Sequence, residues 1–217
     1  IYGYDNIPCD NNFSLKVLDD QFSEVTNLNL IKNKISNVLA FRGFQEIFTN
    51  SLTSSENTGT DRVLLINSVS SKLNSMRTSM LPSMLEVVDY NFNHDQKFLK
   101  LFEIGKTYHQ GQDKITEIEH CSCVIANRKQ TDTYFFDLKN EIYNVFQSIG
   151  FVHLKENLVQ DGVEIFIENE KVCYLKSISY EDYEVVFADI ILNEIPQLKM
   201  SVYFEISKFP SVIRDLS

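Results

Sequence analysis

Apolar residues recur along this chain at two periods, and the period assigns the elements. From about Gln21 to Arg42, Val25, Leu28, Ile31, Ile35, Val38 and Leu39 step by three and four, and Gly43 follows. The pattern predicts the longest helix of the chain, stopped by the glycine. Lys32, Asn33, Ser36 and Asn37 take the opposite side, as on a helix lying against a sheet. Phe22, Leu30 and Phe41 widen the apolar stripe, which makes the helix a candidate interface with Leu28, Ile31, Ile35 and Val38 at its centre.

A second helix is predicted where Ser79 can accept from the first free amides, Pro82 needs no donor, and Met84, Leu85, Val88 and Phe92 share a face. The dense run Phe98, Leu99, Leu101, Phe102, Ile104, closed by Gly105, reads as a strand buried on both faces. Arg77, among three hydroxyl groups, is either an anion contact or a fixed ion pair with Glu103; a satisfied structural arginine at the core edge is the plainer reading. Further on, Phe135, Leu138, Ile142, Val145, Phe146 and Ile149 predict a third helix, ended by Gly150.

Strand patterns fill the gaps. Phe44 to Leu52 mixes β-branched and aromatic residues, Ser54 to Thr60 is a polar loop, and Val63 to Ile66 reads as a short buried strand. The strand through Glu103 runs on to Tyr108, turns at Gln110 to Asp113, and is answered by Glu119 to Ala126 in an antiparallel pair. Val163, Ile165 and Ile167 alternate, and Val172, Tyr174 and Leu175 return after a turn at Glu168 to Lys171. Val185 to Leu192 is the most continuous apolar run and predicts a central strand. Asp189 within it is a catalytic carboxylate or, more economically, a paired structural acid. Strands in runs with a few long helices predict an α+β fold, an antiparallel sheet with helices packed on it.

Composition narrows the function. With 217 residues, 43% of them apolar, the chain can bury one sizeable core. A formal net charge of −10, with Arg42, Arg62, Arg77, Arg128 and Arg214 scattered, opposes independent binding to phosphate backbones. Cys9, Cys121, Cys123 and Cys173 match neither a paired zinc motif nor a disulfide framework, so reduced thiols and a cytoplasmic setting are expected. A metal site at His120, Cys121 and Cys123 is the weaker alternative, because neighbours on a strand alternate faces. No run approaches the ~20 apolar residues that cross a bilayer, and residues 1–12 read as a linker from a preceding domain.

Six segments, Ile1 to Pro8, Arg42-Gly-Phe-Gln-Glu46, Asn74-Ser-Met-Arg-Thr-Ser-Met-Leu-Pro82, Leu101-Phe-Glu-Ile-Gly105, Phe136-Asp-Leu-Lys139 and Phe209 to Ser217, fall in the order found in bacterial phenylalanine–tRNA ligase β subunits. The chain resembles the catalytic-like domain of that family. The resemblance implies a class II aminoacyl-tRNA synthetase-like antiparallel sheet flanked by helices, spanning 13–208. Residues 209–217 would lead to a ferredoxin-like anticodon-binding domain. It implies an assembly of two α and two β subunits, in which the α subunit activates phenylalanine with ATP and magnesium and charges tRNA(Phe), and the 21–42 helix joins the α/β interface.

Class II chemistry, as the resemblance carries it, needs an arginine two residues before a strand glutamate and a second one after a glycine-rich turn. Here Leu101 precedes Glu103, no glycine follows Gly162, and Arg214 is the sole later arginine. The family's magnesium ligands would precede Ile1, so Asp5 is not promoted to a ligand, and the segment 161–177 is degenerate against relatives. The expectation is a domain with no catalytic, cofactor-binding or metal residues of its own, with Arg77 and Glu103 structural. The alternative is an interaction module outside translation, docking through the helix at 21–42.

Overall fold

The computed structural model describes residues 23–68, 70–112, 114–128, 133–179 and 182–196. The segments 1–12 and 209–217, together with Cys9, Phe22 and Arg214, lie outside them. The first helix, α1 (Ser23–Phe41), ends as its glycine predicts. Gly43 takes a φ of +84°, its amide donates to the Ala40 carbonyl, and the Phe44 amide reaches back to Leu39. Leu39 and Phe44 bury against each other's surroundings, completing a Schellman cap. Helix α3 (Thr133–Ser148) ends identically at Gly150, φ +101°, with the Phe151 amide on the Phe146 carbonyl.

Helix α2 (Leu81–Asn93) carries Pro82 in its first turn, and the Ser79 hydroxyl accepts from the Leu81 amide at 3.3 Å. Met84, Val88 and Phe92 are buried on one stripe. Asp95, φ +66°, makes the same kind of cap there without a glycine, and the Gln96 amide returns to the Asn91 carbonyl.

The strands are β1 (Gln45–Glu46), β2 (Leu52–Thr53), β3 (Ser75–Met76), β4 (Phe98–Gln110), β5 (Ile115–Asn127), β6 (Lys155–Val159), β7 (Gly162–Ile167), β8 (Glu170–Ser179) and β9 (Glu184–Ile191). Seven of them form one sheet in the order β1-β4-β5-β9-β8-β7-β6, and β2 pairs with β3 beside it. Every neighbouring pair in the large sheet is antiparallel except β1 with β4. Strand β9 stands in the middle, as its unbroken apolar run predicts.

Side chains alternate along each strand, so the sheet carries two layers. On one face Phe102, Cys121, Cys123, Ile125, Ala188 and Ile190 pack under α1 and α3. On the other, Leu99, Leu101, Val124, Ala126, Val185 and Phe187 pack under α2. Strand β4 is thereby covered on both sides. Lys32 of α1 pairs with Glu119, and Arg42 at its end pairs with Glu141 of α3, tying helix to sheet and helix to helix.

Two predicted strands are corrected. Val63 to Ile66 makes only a single bridge, Leu64 with Ser75, and Ile66 is 98% exposed. The run lies between Asp61-Arg62 and Asn67-Ser68, too short to pair along its length. Phe44 to Leu52 contributes only two residues to the main sheet. After the Ile47 amide bonds to the Phe102 carbonyl the chain leaves, because the Thr49 hydroxyl turns to Glu103 and the Asn50 side chain takes the Leu52 amide.

Candidate functional site

The quoted segments around Arg77 and Glu103 meet at one point. The Arg77 guanidinium donates from Nη1 to Glu103 Oε1 at 2.9 Å and to Thr49 Oγ1 at 2.7 Å, and from Nε to the Lys106 carbonyl at 2.9 Å. The Thr49 hydroxyl donates in turn to Glu103 Oε2 at 2.7 Å. Arg77 is 3% exposed and Glu103 2%. The pair is buried, bonded at each charged end, and fixed.

Gly105 explains the end of that motif. A Cβ there would stand 2.3 Å from Arg77 Nη2 and 2.7 Å from Met80 Cε, so the glycine leaves the space in which the guanidinium crosses β4. Arginine, glutamate and glycine are thus one arrangement spread over two distant stretches of sequence.

Glu103 begins a polar row across the sheet. Register places it opposite Ser122, Ser122 opposite Asp189, Asp189 opposite Tyr174, and Tyr174 opposite Glu164. The adjacent row, Leu101, Val124 and Phe187, is apolar and lies under α2. The edge of the α2 layer therefore falls between Leu101 and Glu103. Burial raises the Tyr174 hydroxyl to about 12, helped by a hydrogen bond to Asp161.

A chain of side chains crosses this row. Asp61 Oδ2 meets His109 Nδ1 at 2.6 Å, His109 Nε2 and His120 Nε2 meet the Thr107 hydroxyl at 3.1 and 2.9 Å, and Ser122 donates to Asp189 Oδ1 at 2.6 Å. His120 Nδ1 lies 3.0 Å from Asp189 Oδ2 but off the line of a hydrogen bond, so that contact is one of proximity. The bond from His109 holds the Asp61 carboxyl below its ordinary range. Sequence reasoning found no basic partner for Asp189 because His120 is remote along the chain. No local signal gave it, because only the pairing of β5 with β9 sets Ser122 facing Asp189 with His120 one pleat away.

Ser122 is fully buried and bonded to the carboxylate rather than to the imidazole, so the trio is not arranged as a nucleophile with its base. Cys121 and Cys123 point into the α1/α3 layer with Cys173, away from His120, and all three are free thiols. A hydrogen bond to Cys123 and then burial push the Cys121 thiol well up, and burial does the same to Cys173. Among the described residues no group of His, Cys, Asp and Glu is arranged to hold a metal ion.

The interface candidates on α1 are placed elsewhere than expected. Ile31 and Ile35 are buried in the chain's own core, and Leu28 and Val38 pack against it half-buried. Ile31 and Ile35 answer the sheet, and Leu28 and Val38 keep part of their surface outside it. The outward apolar residues of α1 are Leu30 and Phe41, the latter 91% exposed.

Residues 18–174 match the model of the phenylalanyl tRNA synthetase beta chain CLM domain. The chain belongs to that family. Among its relatives, the phenylalanine–tRNA ligase beta subunit of Bacteroides thetaiotaomicron is 29% identical across 100% of this chain and 31% of its own length. That of Thermotoga maritima is 26% identical with the same coverage. The chain spans about a third of the length of these curated relatives. The pyrrolysyl-tRNA synthetase of Desulfitobacterium hafniense has the same fold at a TM-score of 0.64 and 15% identity, over 79% of this chain and 70% of that one. The CLM-domain family and the class II-like α+β fold are therefore both established for this chain.

Proposed function

We propose that this CLM domain is a non-catalytic scaffold of a cytoplasmic phenylalanine–tRNA ligase, holding an α subunit that uses ATP and magnesium to charge tRNA(Phe), in an assembly of two α and two β subunits. The observation that carries the reading is the pair Leu101 and Glu103. Where an activating enzyme needs a cation against the α-phosphate, Leu101 is 2% exposed in the apolar layer beneath α2. A charge there would lie unpaired in a dry environment.

Nearby, Glu103 and Arg77 neutralise one another and spend their polar atoms on Thr49 and the Lys106 carbonyl. Neither is left to meet a triphosphate. Docking outside translation through the helix at 21–42 would have to use the half-buried Leu28 and Val38 with the exposed Leu30 and Phe41, because Ile31 and Ile35 are buried in the chain's own core. The test is reconstitution. Full-length β subunit mixed with α should form a complex that charges tRNA(Phe), while α alone should not; full charging by α alone would remove the scaffold role.

A further inference from the structure

Two histidines share one hydroxyl, and the hydrogens along the line they make do not suffice to fill it. Asp61 Oδ2 stands 2.6 Å from His109 Nδ1, His109 Nε2 and His120 Nε2 stand 3.1 and 2.9 Å from the Thr107 hydroxyl, and His120 Nδ1 stands 3.0 Å from Asp189 Oδ2. Each of these contacts needs one hydrogen to be attractive. A neutral imidazole carries one N–H and a threonine one O–H, while an ionised carboxylate only accepts. Two histidines and one threonine thus supply three hydrogens for four contacts. Filled from the Asp61 end, the line is complete as far as His120 Nε2 and bare at His120 Nδ1.

The break in the structure is at that atom. His120 is 7% exposed, and its Nδ1 is buried without a hydrogen-bond partner although Asp189 Oδ2 is beside it. Two lone pairs face each other there, away from most of the solvent that would screen them. Ser122 donates to Asp189 Oδ1 at 2.6 Å and holds the carboxylate in place.

The surrounding charges do not relieve the contact. Arg77 reaches past Gly105, which lies opposite His120, but its hydrogens go to Glu103, Thr49 and the Lys106 carbonyl. Tyr174, opposite Asp189, bonds to Asp161, and Ile191, opposite His120 on β9, is apolar. Lys106, Glu117 and Glu119 pair with one another on the other face of the hairpin. At the far end Arg62 donates to the Ser55 carbonyl.

We propose that the gap between His120 Nδ1 and Asp189 Oδ2 is a proton-uptake site, and that the proton held there latches the segment carrying Asp61 to the end of the β4–β5 hairpin. The proton comes from solvent past Asp189, whose side chain is 23% exposed. It adds to His120 Nδ1, no bond breaks, and the ring becomes an imidazolium against the carboxylate. His120 Nε2 then donates more strongly to Thr107, Thr107 to His109, and His109 to Asp61, each bond polarising the next. The Asp61 carbonyl also accepts the Gln110 amide at 2.6 Å, and the same segment runs on to Leu64 and Ile66, 55% and 98% exposed. Proton uptake therefore sets how firmly an exposed apolar turn is held to the sheet. The latched form carries one proton more than the open form, so the latch is firm on the acid side and loosens as pH rises. Histidine is the side chain that changes charge between about pH 5 and 8, so the device works in that range.

The experiment follows hydrogen exchange of the Gln110 amide in the full-length β subunit from about pH 5.5 to 8.5, by mass spectrometry resolved to single residues and corrected for the intrinsic rate. The Tyr108 amide, bonded to the Arg77 carbonyl outside the line, serves as reference. In wild type, protection of Gln110 relative to Tyr108 is expected to fall at least about fivefold across the range. Asp189→Asn gives His120 Nδ1 a permanent N–H from a side chain of the same shape, and should keep Gln110 as protected at pH 8.5 as wild type is at pH 5.5. Thr107→Val cuts the line in two, leaving two hydrogens for two contacts, and should also abolish the pH dependence. A role in packing alone would lower protection in both variants and leave the dependence in place. A flat wild-type profile, or a dependence that survives in either folded variant, overturns the proposal. Where Asp189→Asn does not fold, Thr107→Val decides alone, with the dependence lost in support and the dependence kept against.

Discussion

Replacing Arg77 by methionine removes the guanidinium and leaves the Glu103 carboxylate at 2% exposure with Thr49 as its remaining partner. Breaking a buried pair from one side costs about 3–5 kcal/mol, because the surviving charge keeps its desolvation without its counter-charge. The Lys106 carbonyl also loses a donor, worth on the order of 1 kcal/mol. With a urea m-value of about 3 kcal/mol/M, at the upper end for a domain this size, the unfolding midpoint should fall by roughly 1.3–2 M. Glu103→Leu in the same chain removes the stranded charge, so the double variant should recover most of the loss. The coupling in the resulting double-mutant cycle should be at least about 2 kcal/mol. Urea titrations of the four proteins by circular dichroism measure it. Additive single effects, or a midpoint for Arg77→Met within about 0.3 M of wild type, would refute the claim that the two residues act as a unit.

Gly105→Ala should cost about 1–3 kcal/mol by pressing a methyl into Arg77 Nη2, and the loss should shrink when Arg77 is already methionine; an equal loss in both backgrounds contradicts the steric account. Asp95→Gly, at φ +66°, should raise stability by about 0.5–1 kcal/mol by relieving a left-handed backbone, read as an upward shift of the same urea midpoint. Alkaline pH should destabilise the fold. The Cys121 and Cys173 thiols are raised well above 9.0 in the folded chain, so the unfolded chain ionises first, and stability falls as pH rises above that value. Each thiol contributes up to about 1.4 kcal/mol per pH unit. Tyr143 and Tyr174, raised from 10.0 to about 12, add to the loss above pH 10. Urea midpoints from pH 8 to 10.5 test this, and a flat profile would contradict it.

Local rules carried the elements whose burial follows a single period. Both glycine-stopped helices, the long β4–β5 hairpin and the central β9 were legible because each has one face, or two, that answers a neighbour along its whole length. The Arg77–Glu103 contact was legible because a lone arginine beside a buried strand has few carboxylates to choose from. What sequence did not assign was the tertiary partner. The wide apolar stripe of α1 looked like an interface, yet Ile31 and Ile35 serve the chain's own sheet, and sequence alone does not separate an internal neighbour from an external one. Val63 to Ile66 has the composition of a strand but no layer to cover it. The link from His120 to Asp189 depends on strand order, which brings β5 beside β9 across more than sixty residues of chain.

The central claim is that an apolar layer stands where phosphate-gripping cations would have to be. Pyrophosphate exchange by purified full-length β subunit without α, in the presence of ATP, magnesium and phenylalanine, tests it most directly. The expected rate is that of a no-enzyme control, and α added to the same protein should restore exchange. Exchange by β alone that scales with its concentration would contradict the account.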